Sequence, residues 1–315
     1  MSEASAPRTE EIACRHEHRE PLYGGLLSRC LDCGFAATVQ ASDVAYAESY
    51  FVGDQGNGYD FDSAFSTALD EARFGNELDR IEAQGLRGSV LDVGCATGQF
   101  LRIAQRRGWD VAGVELAEFA RKLASDRLGA PIAGSLDELA PGRTWDVVTL
   151  HHVLEHIEDP IGFLGQHVRP RVGRHLLIEV PNFASLASRA HGARWRDLRP
   201  EQHLSHFTPQ SLEQCVASAG FRVRRVYTLW GPLWSLRSSV ETARLLPYLL
   251  RRTRPEDEVA QGPPSEADVS GWRPPRGWKQ VATEASRIAF SPIVRALEDA
   301  QLAERLAVEA EPAAH

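Results

Sequence analysis

Asp92 and Glu115 close two apolar runs, Val90–Val93 and Trp109–Glu115, and the first run breaks at once into Gly94-Cys95-Ala96-Thr97-Gly98. Gly94 and Gly98 permit a tight turn in which backbone approaches a ligand that leaves no room for a Cβ. Such a turn presents free backbone N–H groups at the start of the helix that begins near Gly98. A carboxylate at position 92 attracts a cation and repels a pyrophosphate. A carboxylate at position 115, on the neighbouring strand end, can accept both hydroxyls of a ribose. A cationic nucleoside meets both demands. The dinucleotide fingerprint G-x-G-x-x-G fails here, because the register reads Gly94-x-Ala96-x-x-Gln99.

Histidine and cysteine supply the remaining reactive groups. His151, His152 and His156 follow the run Trp145–Leu150, and His203 and His206 lie in the segment His203-Leu204-Ser205-His206-Phe207. His152 and His156 share the i, i+4 spacing of paired helix ligands, but the glutamate of H-E-x-x-H is missing. Cys30-Leu31-Asp32-Cys33-Gly34 is a knuckle of the kind that holds zinc, and Cys14 with His16 or His18 could complete a tetrahedral set. The alternative is a ribbon that folds without metal. Cys95, inside the glycine turn, and Cys215, on an apolar helical face, read as packing residues.

These residues need a scaffold that brings strand ends together. Apolar runs at Val90–Val93, Trp109–Glu115, Pro131–Gly134, Trp145–Leu150, Arg174–Val180 and Phe221–Tyr227 alternate with helical stretches such as Ala117–Leu128. That alternation predicts a parallel sheet with right-handed crossovers and a ligand at the strand carboxyl ends. The alternating pattern at Arg305–Glu311 is the candidate for a last, antiparallel strand.

The glycine turn resembles the first motif of class I S-adenosylmethionine (SAM) methyltransferases. Tyr50-Phe51, Gly58-Tyr59, Glu155–Pro160 (EHIEDP), Glu179–Asn182 (EVPN), Arg194-Trp195 and Glu201–Leu212 (EQHLSHFTPQSL) extend the resemblance over residues 14–228. They are similar to a bacterial group that includes ubiquinone-biosynthesis O-methyltransferases and sugar and natural-product methyltransferases. The resemblance implies an α/β, Rossmann-like fold with seven strands, six parallel and the seventh antiparallel, and helices on both faces. It also implies SAM as cofactor and methyl transfer as the reaction, and it leaves the acceptor open.

Mapped onto this chain, the cofactor residues implied are Tyr59, Asp92, Gly94, Ala96, Gly98, Glu115, Leu116, Leu136, Asp137 and His151. Leu136 and Asp137 match the turn that flanks the adenine, and Tyr59 belongs to a front segment that folds over the cofactor. Methyl transfer to a hydroxyl needs a proton acceptor, for which His203 is the first choice and His152 the second. The metal set expected is Cys14, His18, Cys30 and Cys33, holding a structural zinc. A SAM-binding partner or regulatory protein without turnover is the alternative reading.

Four regions are expected: a ribbon-like extension over 1–45, the methyltransferase core over 46–228, an apolar helical insertion with a Pro/Gly-rich connector over 229–277, and a helix with the last strand over 278–315. The insertion Leu229–Arg252, with Trp230, Trp234 and Leu246, is too apolar for a solvated helix. It would cap an apolar acceptor, form a homodimer contact, or rest peripherally on a membrane. The net charge of −8 over 315 residues argues against a nucleic-acid partner. No apolar run is long enough to be a transmembrane segment, the start Met1-Ser2-Glu3-Ala4 lacks a signal pattern, and the odd set of five cysteines suits a reducing compartment. A cytoplasmic enzyme acting on a small-molecule methyl acceptor is the expectation.

Overall fold

The computed structural model describes residues 14–39, 64–229 and 298–313. Tyr59, nearly all of the 229–277 insertion and most of the expected helix after 278 lie outside the described residues. The main sheet holds β4 (Ser89–Val93), β5 (Asp110–Val114), β6 (Trp145–His151), β7 (Val172–Pro181), β9 (Phe221–Leu229) and β10 (Arg305–Pro312). Their order across the sheet is β5-β4-β6-β7-β10-β9. β10 runs antiparallel to both β7 and β9, while β4, β5, β6 and β7 pair in parallel. The last strand is thus where its alternating pattern put it, inserted between two strands that precede it in sequence.

The expected third parallel strand, Pro131–Gly134, does not form as a strand. Only Ala133 makes an isolated parallel bridge, to Val114. Pro131 has no N–H to give to a ladder, and the Gly134 N–H donates instead to the Glu138 carboxylate at 2.7 Å. The described sheet therefore has six strands where seven were expected.

Strands buried on both faces read as continuous apolar runs, which is why Val90–Val93 and Val147–Leu150 carry so few polar residues. Side-chain alternation along β6 sends Val148 and Leu150 into one core cluster and Val147 into the other. α1 (Ala64–Ala83) seats Phe74, Leu78 and Ile81 on that second cluster, against Phe100 and Leu101 of α2 (Gln99–Arg106). Leu78 and Leu101 are fully buried, so truncating either to alanine would cost about 2–5 kcal/mol. α3 (Glu118–Leu128) carries an acid in its first turn and ends on Gly129, whose φ of 63° suits glycine.

A second, antiparallel sheet joins β1 (Arg19–Leu22), β2 (Leu27–Cys30) and β3 (Ala36–Thr38) to β8 (Ser205–His206). Its pairs Ala36↔His206 and Ala37↔Ser205 attach the front of the chain to the segment that carries the late histidines. α4 (Pro209–Ser218) starts directly after β8. Thr208 and Ser211 form a reciprocal cap there, and Pro209 occupies the first turn.

Candidate active site

The β4 turn is fixed by its glycines. Gly94 has φ 77°, and a Cβ built on it would lie 2.4 Å from Val153 Cγ2. Its N–H and that of Cys95 both donate to the Val114 carbonyl, which locks the turn against β5. Gly98, with φ 82°, precedes α2 in the left-handed region. Ala96 is also left-handed, at φ 46°, a conformation that costs a residue with a Cβ of order 1 kcal/mol or more and marks the turn as shaped for a purpose.

Glu115 is buried, and its two oxygens accept the Ala96 N–H at 2.9 Å and the Ala117 N–H at 2.8 Å. Each carboxylate oxygen keeps a second lone pair, so the group is held in place with acceptor capacity left for two ribose hydroxyls. Burial raises its pKa, and the two backbone donors oppose that shift. Leu116, next to it, is 75% exposed, an apolar side chain laid open at the rim of the turn. Of the adenine-flanking pair, Asp137 is exposed, whereas Leu136 packs into the main core. Within that pair the polar residue is the one laid open to solvent.

Asp92 sits beneath the turn in a buried chain of polar groups. Thr149 Oγ1 donates to its Oδ1 at 2.7 Å, and His151 Nδ1 lies 3.2 Å from the same oxygen. His151 Nε2 is 2.8 Å from Glu77 Oε1. Burial alone would depress the His151 pKa, but Glu77 and Asp92 reverse the sign and lift it to about 10. The ring is an imidazolium that ties α1 to β4, with Phe74 and Phe100 against it. His151 thus reaches the glycine turn through Asp92. Sequence reasoning missed Glu77. Its signal was an acid flanked by Phe74, Leu78 and Ile81 on the apolar face of α1.

Further along the same sheet edge an open pocket of about 140 Å³ is lined by His152, Glu155, His156, Asp197, His203 and Arg305, among others. His152, at φ 55°, is in contact with two buried acids: Nδ1 is 3.1 Å from Glu155 and Nε2 is 3.2 Å from Glu179. Those carboxylates outweigh burial and raise its pKa to about 8. Both of its nitrogens are engaged, so it is poorly placed for the proton-acceptor role expected as second choice. Burial also opposes ionisation of Glu155, yet the His152 contact prevails and holds that carboxyl at about 2.

His203 is buried, with Nδ1 2.8 Å from the Asp197 carbonyl. Burial pushes its pKa down to about 3, and that of His206 to about 4. Both rings are neutral near pH 7. His156 and His152 do not share a helix face, because Leu154–His156 is a single 3-10 turn. His156 instead stacks edge-on against His203, with centroids 4.9 Å apart. Glu179, Asp197 and Arg305 went unassigned at the sequence level. Glu179 lies in the EVPN segment and takes Arg305 at 2.8 Å and Arg73 at 2.6 Å. Those two cations overcome its burial and hold its pKa well below the usual carboxylate range.

In the ribbon, one ligand-capable atom from each of Cys14, His16, Cys30 and Cys33 lies within 4.8 Å of the others. Three thiols and an imidazole are a donor set that zinc takes. His18, expected in this set, is not in it. Its carbonyl already accepts the Leu31 N–H at the edge of the β1–β2 pairing, and its exposed ring meets Asp32 at 3.2 Å. His16 takes its place, with Nδ1 3.4 Å from Cys33 Sγ.

A family model of a methyltransferase domain matches residues 69–226, about half of the chain. The chain belongs to the class I SAM-dependent methyltransferases. A ubiquinone biosynthesis O-methyltransferase of Rhizobium rhizogenes is 30% identical to this methyltransferase over 183 residues, spanning 52% of this chain and 72% of that protein. The enzyme of the same name from Rhodopseudomonas palustris strain HaA2 is 28% identical over 174 residues, 50% of this chain and 68% of that one. Among solved structures, a SAM-dependent methyltransferase from Archaeoglobus fulgidus aligns over 78% of this chain and 94% of its own, with a TM-score of 0.45 and 19% identity. No helix among the described residues is long and apolar enough to cross a membrane.

Proposed function

We propose that this methyltransferase transfers the methyl group of SAM to a hydroxyl of a small, largely apolar metabolite. The observation that carries the reading is the placement of Glu115 and Asp92 at adjacent strand ends around a glycine turn, with a histidine-lined pocket further along the same sheet edge. Glu115 holds the ribose, the turn Gly94-Ala96-Gly98 approaches the nucleoside, and Leu116 and Asp137 flank the adenine. Asp92, fixed by Thr149 and His151, supplies negative charge toward the cationic methionine end. When bound, SAM supplies a carbon already activated by its sulfonium, so the protein mainly positions the acceptor. His203, neutral and held by Asp197, accepts the hydrogen bond of the acceptor hydroxyl.

Similarity to ubiquinone O-methyltransferases supports oxygen as the methylated atom, and the Trp-rich segment after Leu229 supports an apolar acceptor. A zinc ion held by Cys14, His16, Cys30 and Cys33 braces the ribbon. Incubation with methyl-labelled SAM and fractionated small-molecule extracts tests the reading. Label should appear in an extractable product with an O–CH3 group. Full-affinity SAM binding with no label moved in any fraction would favour a binding-only protein.

A further inference from the structure

Asp197 lines the pocket together with His152, Glu155 and His203. Among the described residues no hydrogen bond engages its carboxylate, and His152, Arg196 and Arg199 act on it only as nearby positive charges, with Glu155 opposing them. Both oxygens keep their lone pairs for a ligand. The backbone around it is nevertheless firmly held. Trp195 and Leu198, on either side, are buried in the cluster that joins Leu27 and Ala36 of the ribbon to Phe183, and the Leu198 N–H donates to the Trp195 carbonyl at 3.1 Å. Arg199 then turns the chain in the left-handed region at φ 36°, and its carbonyl accepts the N–H groups of Gln202 at 2.8 Å and His203 at 2.7 Å. A residue with a Cβ stays in that region only where its surroundings hold it. His203 Nδ1 closes the loop, 2.8 Å from the Asp197 carbonyl. One braced loop thus carries both Asp197 and His203 on the wall of one pocket.

The groups beside Asp197 are poorer proton acceptors. Burial pushes His203 down to about 3, so its ring is a weaker base than an ordinary imidazole. His152, at about 8 with a carboxylate on each nitrogen, already holds its proton at pH 7. Glu155 is held at about 2 and releases a proton readily. Burial moves Asp197 the other way, raising its pKa against the pull of the His152, Arg196 and Arg199 charges. A carboxylate raised in this way takes a proton more readily and can still return it to water.

We propose that the Asp197 carboxylate is the proton acceptor of the methyl transfer, and that His203 holds the reacting hydroxyl in place for it. The inference rests on the pocket being the acceptor site. A hydroxyl turns about its C–O bond, so one that rests against His203 can hand its proton to Asp197. The O–H bond breaks and its proton goes to a carboxylate oxygen of Asp197. The oxygen's lone pair forms the O–C bond, and the C–S bond breaks with its pair staying on sulfur. The neutral Asp197 carboxyl then gives its proton to solvent at the pocket mouth.

The test compares Asp197→Asn, Asp197→Ala and Asp197→Glu with the unaltered full chain, using methyl-labelled SAM and the small-molecule extract fraction that takes up most label. SAM affinity by calorimetry should match in all four, which reports that each variant is folded. In Asp197→Asn, kcat should fall roughly 100- to 10,000-fold with acceptor KM little changed, while Asp197→Glu, which keeps the carboxylate, retains more activity. The unaltered rate should drop as pH falls through the Asp197 pKa, and Asp197→Asn should lack that limb. Added formate, a carboxylate small enough for the space left in Asp197→Ala, should restore part of the rate. Undiminished transfer in the folded Asp197→Asn variant overturns the assignment and leaves the methyltransferase reading standing. So does a loss that appears only as a raised KM, or one that keeps the acid limb and does not respond to formate. Absence of transfer by the unaltered protein to any fraction would instead remove the acceptor-site reading, and the role of Asp197 with it.

Discussion

The two halves of this sheet edge are built by different means. At the β4 and β5 ends the site is made of backbone: left-handed residues, N–H groups and one clamped carboxylate, contributed by residues 92–98 and 115–117. At the β6 and β7 ends it is made of side chains, drawn from 152–156, 179, 197–203 and 305. The ribbon strand β3 then braces the 203–206 stretch from outside. A common ligand can be held by a short, rigid backbone motif. A particular acceptor needs side chains that can be exchanged, and gathering them from distant segments leaves each free to vary without disturbing the glycine turn.

The largest expected effect lies in the backbone half. Gly94→Val combines a left-handed φ with a Cβ aimed at Val153 Cγ2. Strain and overlap together should cost about 3 kcal/mol or more and abolish SAM binding. Denaturant melts and SAM calorimetry check this, and a stable variant that still binds SAM would show that the turn is not the rigid element.

A lesion in the brace should act on the other half. Cys33→Ser or His16→Gln should abolish the proposed zinc binding and loosen β3, which pairs with β8 and donates to the His203 carbonyl. The expected outcome is a several-fold rise in acceptor KM with SAM affinity nearly unchanged, whereas His18→Gln should retain zinc. Zinc quantification and paired KM measurements decide. Zinc loss in His18→Gln, with retention in His16→Gln, would restore the ligand set expected from sequence.

The contrast in legibility follows the same division. The geometry of the glycine turn could be read because its residues are contiguous and its glycines have one steric reason to be there. The last strand, Arg305–Pro312, was visible as an alternating pattern although it inserts between much earlier strands. The third strand was over-read, since four residues beginning with proline and losing the Gly134 N–H to a side chain cannot sustain a ladder. His16 and His18 could not be told apart, because the choice depends on where β1 pairing begins. Asp197 and Arg305 act on the site only through the tertiary fold, and no local spacing announces them, whereas Glu77 showed itself only as an acid on the apolar face of a helix.

A pH slope checks the buried tie between α1 and β4. His151 titrates near 6.5 unfolded and at about 10 in place between Glu77 and Asp92. The folded state thus holds an extra proton above pH 6.5, and stability must fall as pH rises. The stabilisation is complete below about pH 6.5 and is lost as pH passes through about 10. Denaturation midpoints across that window should decline more steeply in the unaltered protein than in His151→Gln. Parallel curves would mean that His151 does not carry the charge that ties α1 to β4.

The division of labour along the sheet edge is tested most directly by SAM calorimetry on Glu115→Ala and His203→Asn side by side. Loss of the ribose-holding carboxylate should weaken SAM by about 1–3 kcal/mol, while His203→Asn leaves SAM affinity unchanged and impairs only methyl transfer. Unaltered SAM affinity in Glu115→Ala, or an equal loss in His203→Asn, would contradict the placement of cofactor and acceptor at separate ends of one sheet edge.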